Sequence, residues 1–219
     1  MSKKGIIIAG GEFSENEPLH KYLNDESIVV CADSGYVSAL QSGITPHVLI
    51  GDFDSLCESG FTVPEGELEV YKFEIEKDQS DTQLCVDYLV SKGITEIYLF
   101  GAIGGKRFDH TFANIQLLEY GLLKGAEIRI VAENTELFLV SGKTVTINGN
   151  PGDHVSVFAL HSAENVTYTG LKYPLNGGTI LSHTPYGMSN SLIENNATVS
   201  VGKGELLIIH TGGDYIEKR

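Results

Sequence analysis

Short apolar runs alternate with helix-period patterns along the first 132 or so residues. The runs fall at residues 5–9, 28–32, 47–50, 68–73, 96–100 and 128–132. Their length and β-branched content predict strands, and helical stretches between successive strands predict βαβ units with a mainly parallel sheet. The helical patterns lie at 14–23, 36–41, 81–92 and 110–124. The third is the best marked: Ser80 with Gln83 forms a capping box, Leu84, Cys85, Tyr88 and Leu89 make an apolar stripe, and Gly93 stops it. In the fourth, Asp109 is placed to cap, with Phe112, Ile115, Leu118 and Leu122 facing the core.

After about Asn134 the period changes to two. Segments such as Thr144-Val145-Thr146-Ile147 and His154-Val155-Ser156-Val157-Phe158 alternate between Gly, Pro and Asn turns, with no helical stretch, which predicts a small β-sandwich. Residues 197–201 and 205–210, joined by Gly202-Lys203-Gly204, read as a hairpin. The expected fold is therefore α/β: an N-terminal Rossmann-like, mainly parallel sheet with helices over residues 1–141, then a C-terminal β-sandwich over 142–219. The boundary falls at Ser141-Gly142, without a low-complexity linker.

Composition narrows the partners. The 219 residues carry a formal charge of −14, which argues against a nucleic acid, whose phosphates are met by clustered Lys and Arg. A phosphorylated small molecule would instead need local basic groups and a metal to offset the field. No apolar run is long enough for a signal core or a membrane span, so a cytoplasmic protein is expected. Cys31, Cys57 and Cys85 are widely spaced with no metal-ligand pattern, as in a reducing compartment.

The candidate chemistry lies at the ends of predicted strands. Gly51-Asp52-Phe53-Asp54-Ser55 follows an apolar strand, and Lys77-Asp78-Gln79-Ser80-Asp81-Thr82 leads into the capped helix. Asp52 and Asp54, two apart, share one side of an extended chain at the carboxyl end of the sheet, where open α/β sheets bind ligands. One such pair could simply serve a turn. The second acidic cluster shifts the reading to a metal–phosphate site, since clustered carboxylates repel without a neutralising cation. Gly101-Ala102-Ile103-Gly104-Gly105-Lys106-Arg107 lies between a strand and a helix and can set backbone N–H groups and two cations against a phosphate chain. Its spacing is neither that of a P-loop nor of the dinucleotide fingerprint. Asp33, before Ser34-Gly35, ends another strand at the same edge, and Lys77 is placed to contact a phosphate. The seven histidines show no zinc-ligand spacing, and Ser34 and Ser55 sit in no nucleophile elbow. Residues 170–175 and 184–190 read as loops.

In this order, Ala32-Asp33-Ser34-Gly35, the segments at 51–55, 77–82 and 101–110, and those at 170–175 and 187–190 resemble the bacterial thiamine pyrophosphokinase family over nearly the whole chain. The resemblance implies a homodimeric transferase that moves the diphosphate of ATP onto the hydroxyl of thiamine and releases AMP. It implies Mg²⁺ among Asp52, Asp54 and Asp81 with Asp33 nearby, ATP phosphates on Lys77 and Arg107 beside Thr82, Gly104 and Gly105, and Asp109 at the reacting centre. Ser189 and Asn190 would grip the thiamine pyrimidine across the dimer interface, in a site shared between protomers. Eukaryotic relatives use a Trp near thiamine. This chain has none, so a Tyr such as Tyr186 would replace it. Asp78 and Asp109 are both candidates for the proton acceptor. Two other readings compete: a Mg–ATP diphosphotransferase acting on another hydroxymethyl heterocycle such as a pterin, and a non-catalytic nucleotide-binding regulator.

Overall fold

A computed structural model describes residues 3–14, 18–54, 60, 66, 68–74, 76, 78–105 and 107–213. The chain divides into two compact units, residues 1–133 and 134–219. This division comes before the seven-residue strand that ends at Ser141, whereas the sequence expectation sets the boundary at Ser141-Gly142.

In the first unit the strands are β1 (Gly5–Ile8), β2 (Ile28–Ala32), β3 (Val48–Gly51), β4 (Glu69–Lys72), β5 (Glu96–Phe100) and β6 (Glu127–Ala132). They pair in the order β6-β5-β1-β2-β3-β4, every pairing parallel. Every residue of β1 and β3 is buried, as in a sheet covered on both faces. The two-residue period then sorts the side chains. Ile6, Ile8, Val29, Cys31, Leu49, Tyr98 and Phe100 join one core cluster with Tyr36 and Ala39 of α1 (Gly35–Gln41). Helix α2 (Asp81–Ser91) packs on β1, β2 and β3, and α3 (Phe108–Leu123) packs on β6. Because β5 lies on the opposite side of β1 from β2, chain direction across the sheet reverses between β1 and β5. That switch opens a crevice at their carboxyl ends.

Three expectations are corrected here. Among the described residues of 14–23 the helical structure is a single 3₁₀ turn, Leu19–Lys21, which follows Pro18. Helix α3 begins at Phe108 with Arg107 as its N-cap residue and no side-chain cap, so Asp109 lies in the first turn instead. Phe112 is 54% exposed, and the buried stripe runs through Asn114, Leu117, Leu118 and Gly121. The capping box of α2 is present: Ser80 has extended backbone and its Oγ accepts from Gln83 N–H at 3.2 Å.

The second unit is a sandwich of two antiparallel sheets, β12-β9-β14-β7 and β11-β10-β13-β8. Its strands are β7 (Thr135–Ser141), β8 (Thr144–Asn148), β9 (His154–Ala159), β10 (Ala163–Thr169), β11 (Leu175–Ile180), β12 (Asn190–Ser191), β13 (Asn196–Ser200) and β14 (Glu205–Thr211). Val155, Val157, Leu206 and Ile208 of one sheet meet Ile147, Val166, Tyr168 and Val199 of the other in one core. The expected hairpin is not formed. β13 pairs with β8 and β10, whereas β14 pairs with β7 and β9. Residues 201–204 therefore cross from sheet to sheet, because each alternating strand buries its apolar side only by joining a different layer.

Candidate functional site

A cleft of about 780 Å³ opens at the carboxyl ends of β1, β2, β3 and β5. Its β1 side is Ala9-Gly10-Gly11-Glu12, and its β5 side includes Gly101, Ala102, Gly104, Gly105 and Arg107. These two turns lie backbone against backbone. Gly11 N–H donates to Gly101 O at 2.8 Å, and a Cβ on Gly11 would sit 2.3 Å from that oxygen. Only glycine permits such an approach. Gly104 and Gly105, both on the lining, have φ of +86° and +80°, a backbone region that side chains rarely enter. Helix α3 steadies this loop: buried Asn114 donates through Nδ2 to Ala102 O at 2.8 Å, and Thr111 Oγ1 to Gly104 O at 3.4 Å.

Carboxylates share the lining. Asp33, Asp52 and Asp81 all line the cleft, with Gln79, Ser80 and Thr82. Asp33 holds a left-handed conformation, φ +44°, fixed by its N–H to Ile50 O at 2.9 Å and its carbonyl to Tyr36 N–H at 3.1 Å. Its Oδ1 is buried without a hydrogen-bond partner, a costly state for a carboxylate unless a ligand completes it. Strain and an orphaned acceptor on one residue are the marks of a binding position. Asp52 Oδ1 accepts from Asp54 N–H at 3.1 Å, which shapes the turn after β3.

The expected residues separate accordingly. Asp33, Asp52, Asp81, Thr82, Gly104, Gly105 and Arg107 share the cleft. Asp54, Asp78 and Asp109 are exposed and are not among its lining residues. Lys77 and Lys106 lie outside the described residues. Among the described residues no group of three or more His, Cys, Asp or Glu side chains is gathered closely enough to hold a metal by itself.

Arg107 is the cation that the described lining contributes, and it is not solitary. Its Nη2 donates to Asp109 Oδ2 at 2.6 Å and its Nε to Oδ1 at 2.9 Å, a two-pronged pair. The hydrogen bonds from Arg107 hold the Asp109 carboxyl down at about 2, and Arg107 is raised in turn. Asp109 therefore stays charged at neutral pH and is a weak proton acceptor there.

The sandwich loops divide in the same way. Tyr186 is 68% exposed, and Ser189 is exposed in a left-handed conformation, its N–H on Ser156 Oγ at 3.1 Å. Asn190 is 5% exposed, and its amide serves the backbone. Nδ2 donates to Tyr173 O at 2.7 Å, while Oδ1 accepts from Tyr173 N–H at 3.0 Å and Ser191 N–H at 2.9 Å. Its acceptor capacity is thus already used within the loop.

Sequence reasoning passed over Gly10, Gly11, Glu12, Gln79, His110 and Thr111 as site residues, yet all line the cleft. A signal existed for the first three: a Gly-Gly pair directly after an apolar strand marks a turn at the binding end of a parallel sheet.

Fold and cleft together define an α/β protein whose switch-point crevice is suited to a charged, phosphate-bearing ligand. The family described as thiamin pyrophosphokinase, catalytic domain, matches residues 19–131, and that described as thiamin pyrophosphokinase, vitamin B1 binding domain, matches residues 144–206. A thiamine pyrophosphokinase of Bacillus subtilis (strain 168) is 31% identical over 208 residues, 94% of this chain and 97% of the relative. The crystal structure of thiamine pyrophosphokinase from Bacillus subtilis superposes with a TM-score of 0.82 at 29% identity, covering 97% of this chain and 100% of that one. That from Geobacillus thermodenitrificans gives 0.80 at 29% identity, covering 97% and 99%. The chain belongs to the thiamine pyrophosphokinase family.

Proposed function

We propose that this protein transfers the β,γ-diphosphate of ATP to the hydroxyl of thiamine, giving thiamine diphosphate and AMP. The observation that carries the reading is the switch-point cleft, with Asp33, Asp52 and Asp81 on its lining together with Arg107 and a glycine-shaped loop, in a chain of this family. Mg²⁺ fits the donor set. It is usually held by one or two carboxylates plus substrate phosphates, and a lining that includes Asp52, Asp81 and the orphaned Asp33 Oδ1 offers hard oxygens without a complete protein cage. When bound there, the ion supplies charge neutralisation for the phosphate chain and the departing AMP.

The chain's own groups do the rest. Arg107, oriented by Asp109, presents its remaining N–H donors to phosphate oxygen. Gly104 and Gly105 let the chain of phosphates approach the backbone closely. Neither Asp78, exposed off the lining, nor Asp109, held at about 2, is suited to take the hydroxyl proton. A loose phosphoryl-transfer transition state depends more on positioning and charge stabilisation than on a strong base. Asp54 acts on this reading through the turn it shares with Asp52. To Lys77, outside the described residues, we assign a further phosphate contact, as the family resemblance implies.

Thiamine is assigned to the sandwich, through Tyr186 and Ser189 with the loop that Asn190 secures; the vitamin B1 binding family match spans these residues. We assign a homodimer in which the sandwich loops of one protomer complete the cleft of its partner. Exposed Phe108 and Phe112 beside the cleft, and exposed Tyr173, Tyr186 and Met188 on the sandwich loops, support that pairing. A cytoplasmic location accords with the free, buried Cys31 and Cys85. Among the described residues no helix is long and apolar enough to cross a membrane. The deciding experiment incubates the protein with thiamine, ATP and Mg²⁺ and resolves the products. Thiamine diphosphate with equimolar AMP is expected; thiamine monophosphate with ADP, or no thiamine product, overturns the assignment.

A further inference from the structure

One network ties the cleft to the helices behind it. Gln79, on the cleft lining, sends its Nε2 to Asp87 Oδ2 of α2 at 3.2 Å. The other oxygen of Asp87 accepts from the Tyr120 hydroxyl of α3 at 2.6 Å, and Lys124 Nζ stands 3.6 Å from it. The Tyr120 hydrogen bond and the charge of Asp87 raise Lys124 above its ordinary value. A carboxylate accepts hydrogen bonds but does not donate them, so it fixes which end of a neighbouring amide faces it. Asp87 binds the NH₂ end of Gln79, so the carbonyl end is the one left for another partner.

Resting on the function proposed above, we propose that Asp87 is a positioning residue for the nucleotide. Clamped between α2 and α3, it sets the orientation of the Gln79 amide, so that the wall formed by residues 79–82 offers a hydrogen-bond acceptor to a donor on the bound nucleotide. Asp87 itself touches no substrate. Ser80 holds the same wall from the other direction through its cap on Gln83 N–H. The wall is thus fixed to the helix end and to a point two turns along it. Asp81 and Thr82 lie within this wall.

The test compares Asp87→Asn, Gln79→Leu, the double variant and Tyr120→Phe. Asp87→Asn keeps an oxygen for Tyr120 but turns an NH₂ group towards Gln79. The glutamine must then reverse and offer the cleft a donor. ATP affinity by calorimetry without thiamine, and KM for ATP, should each weaken about tenfold, the worth of one lost hydrogen bond. The melting temperature and the KM for thiamine should be close to wild type, and kcat within roughly twofold. Gln79→Leu should match this loss, and the double variant should be no worse than Gln79→Leu alone, since both act through one contact. Tyr120→Phe breaks the helix clasp without touching Gln79, so it should lower the melting temperature and spare ATP affinity. Equal ATP affinity in Asp87→Asn and wild type, or losses that multiply in the double variant, overturns the proposal. Wild-type chain that binds ATP yet makes no thiamine diphosphate overturns the reaction, while the affinity ratio still decides the role of Asp87.

Discussion

Replacing Asn190 by alanine separates two roles that the sequence alone cannot tell apart. As a direct contact to thiamine, Asn190 would be lost at the cost of substrate affinity only. The structure instead shows an amide that is 5% exposed and makes three hydrogen bonds to the backbone of residues 173 and 191. Alanine removes all three and leaves the Tyr173 N–H and carbonyl without the amide that satisfied them. Each lost bond contributes about 0.5–1.5 kcal/mol, so the set is worth roughly 2–4 kcal/mol. For a chain of this size each kcal/mol shifts melting by about 2–4 °C, and a fall on the order of 10 °C is expected. Asn190→Asp makes the argument sharper, because it keeps the acceptor but sets a carboxylate against Tyr173 O. It should be no better than alanine. Thermal unfolding by circular dichroism measures both, with KM for thiamine and ATP read at 15 °C where all forms are folded. A melting point within about 2 °C of wild type together with a raised KM for thiamine would refute the structural role. It would restore direct contact.

Asp52→Asn retains the oxygen that accepts from Asp54 N–H at 3.1 Å, so the turn should persist while the charge is lost. Activity should then demand at least about tenfold more Mg²⁺ with unchanged melting, measured by Mg²⁺ titration of AMP release. Gly11→Ala puts a Cβ 2.3 Å from Gly101 O and must part the two turns, costing about 1–3 kcal/mol and weakening ATP binding in the same calorimetric series. Asp109 is lowered in the folded protein to about 2, so its contribution to stability is present above the unfolded carboxyl range and is lost only as pH falls through about 2. Asp109→Asn should accordingly leave the pH dependence of kcat between pH 5 and 8 unaltered while raising KM for ATP; disappearance of an acidic limb would reinstate Asp109 as a base.

What the sequence revealed followed from local rules. The apolar runs of β1, β3 and β5 are buried on both faces, and a run of that kind carries its own signature without help from distant residues. Ser80 and Gln83 identify the start of α2 because a cap is made within four residues. The failures are of another sort. Phe112 lies at a position where helical periodicity calls for burial, yet it is 54% exposed, because the face that α3 turns to β6 is set by tertiary packing. The 205–210 segment reads as the return arm of a hairpin, but β14 finds its partners in β7 and β9. Local turn chemistry at 202–204 does not record which sheet lies beyond it.

The site shows the same division, with a chemical cause. Asp33, Asp52 and Asp81 could be selected because each ends a strand or begins a helix, so a parallel sheet sends them to one edge whatever the details. Asp109 was selected by the same logic, but its role depends on a neighbour two residues away whose side chain could have pointed elsewhere. Once Arg107 closes on it, the carboxylate is paired and held low, which on the proposed function suits it to support that cation rather than to act as a base. Asn190 shows this most plainly. An Asn beside Ser189 reads as polar recognition, and only the 17-residue separation bridged by its amide to Tyr173 shows that it is a brace for the loop. Sequence position supplies which groups reach the cleft, while the partner each group finds determines whether it binds a ligand or holds the residue that does.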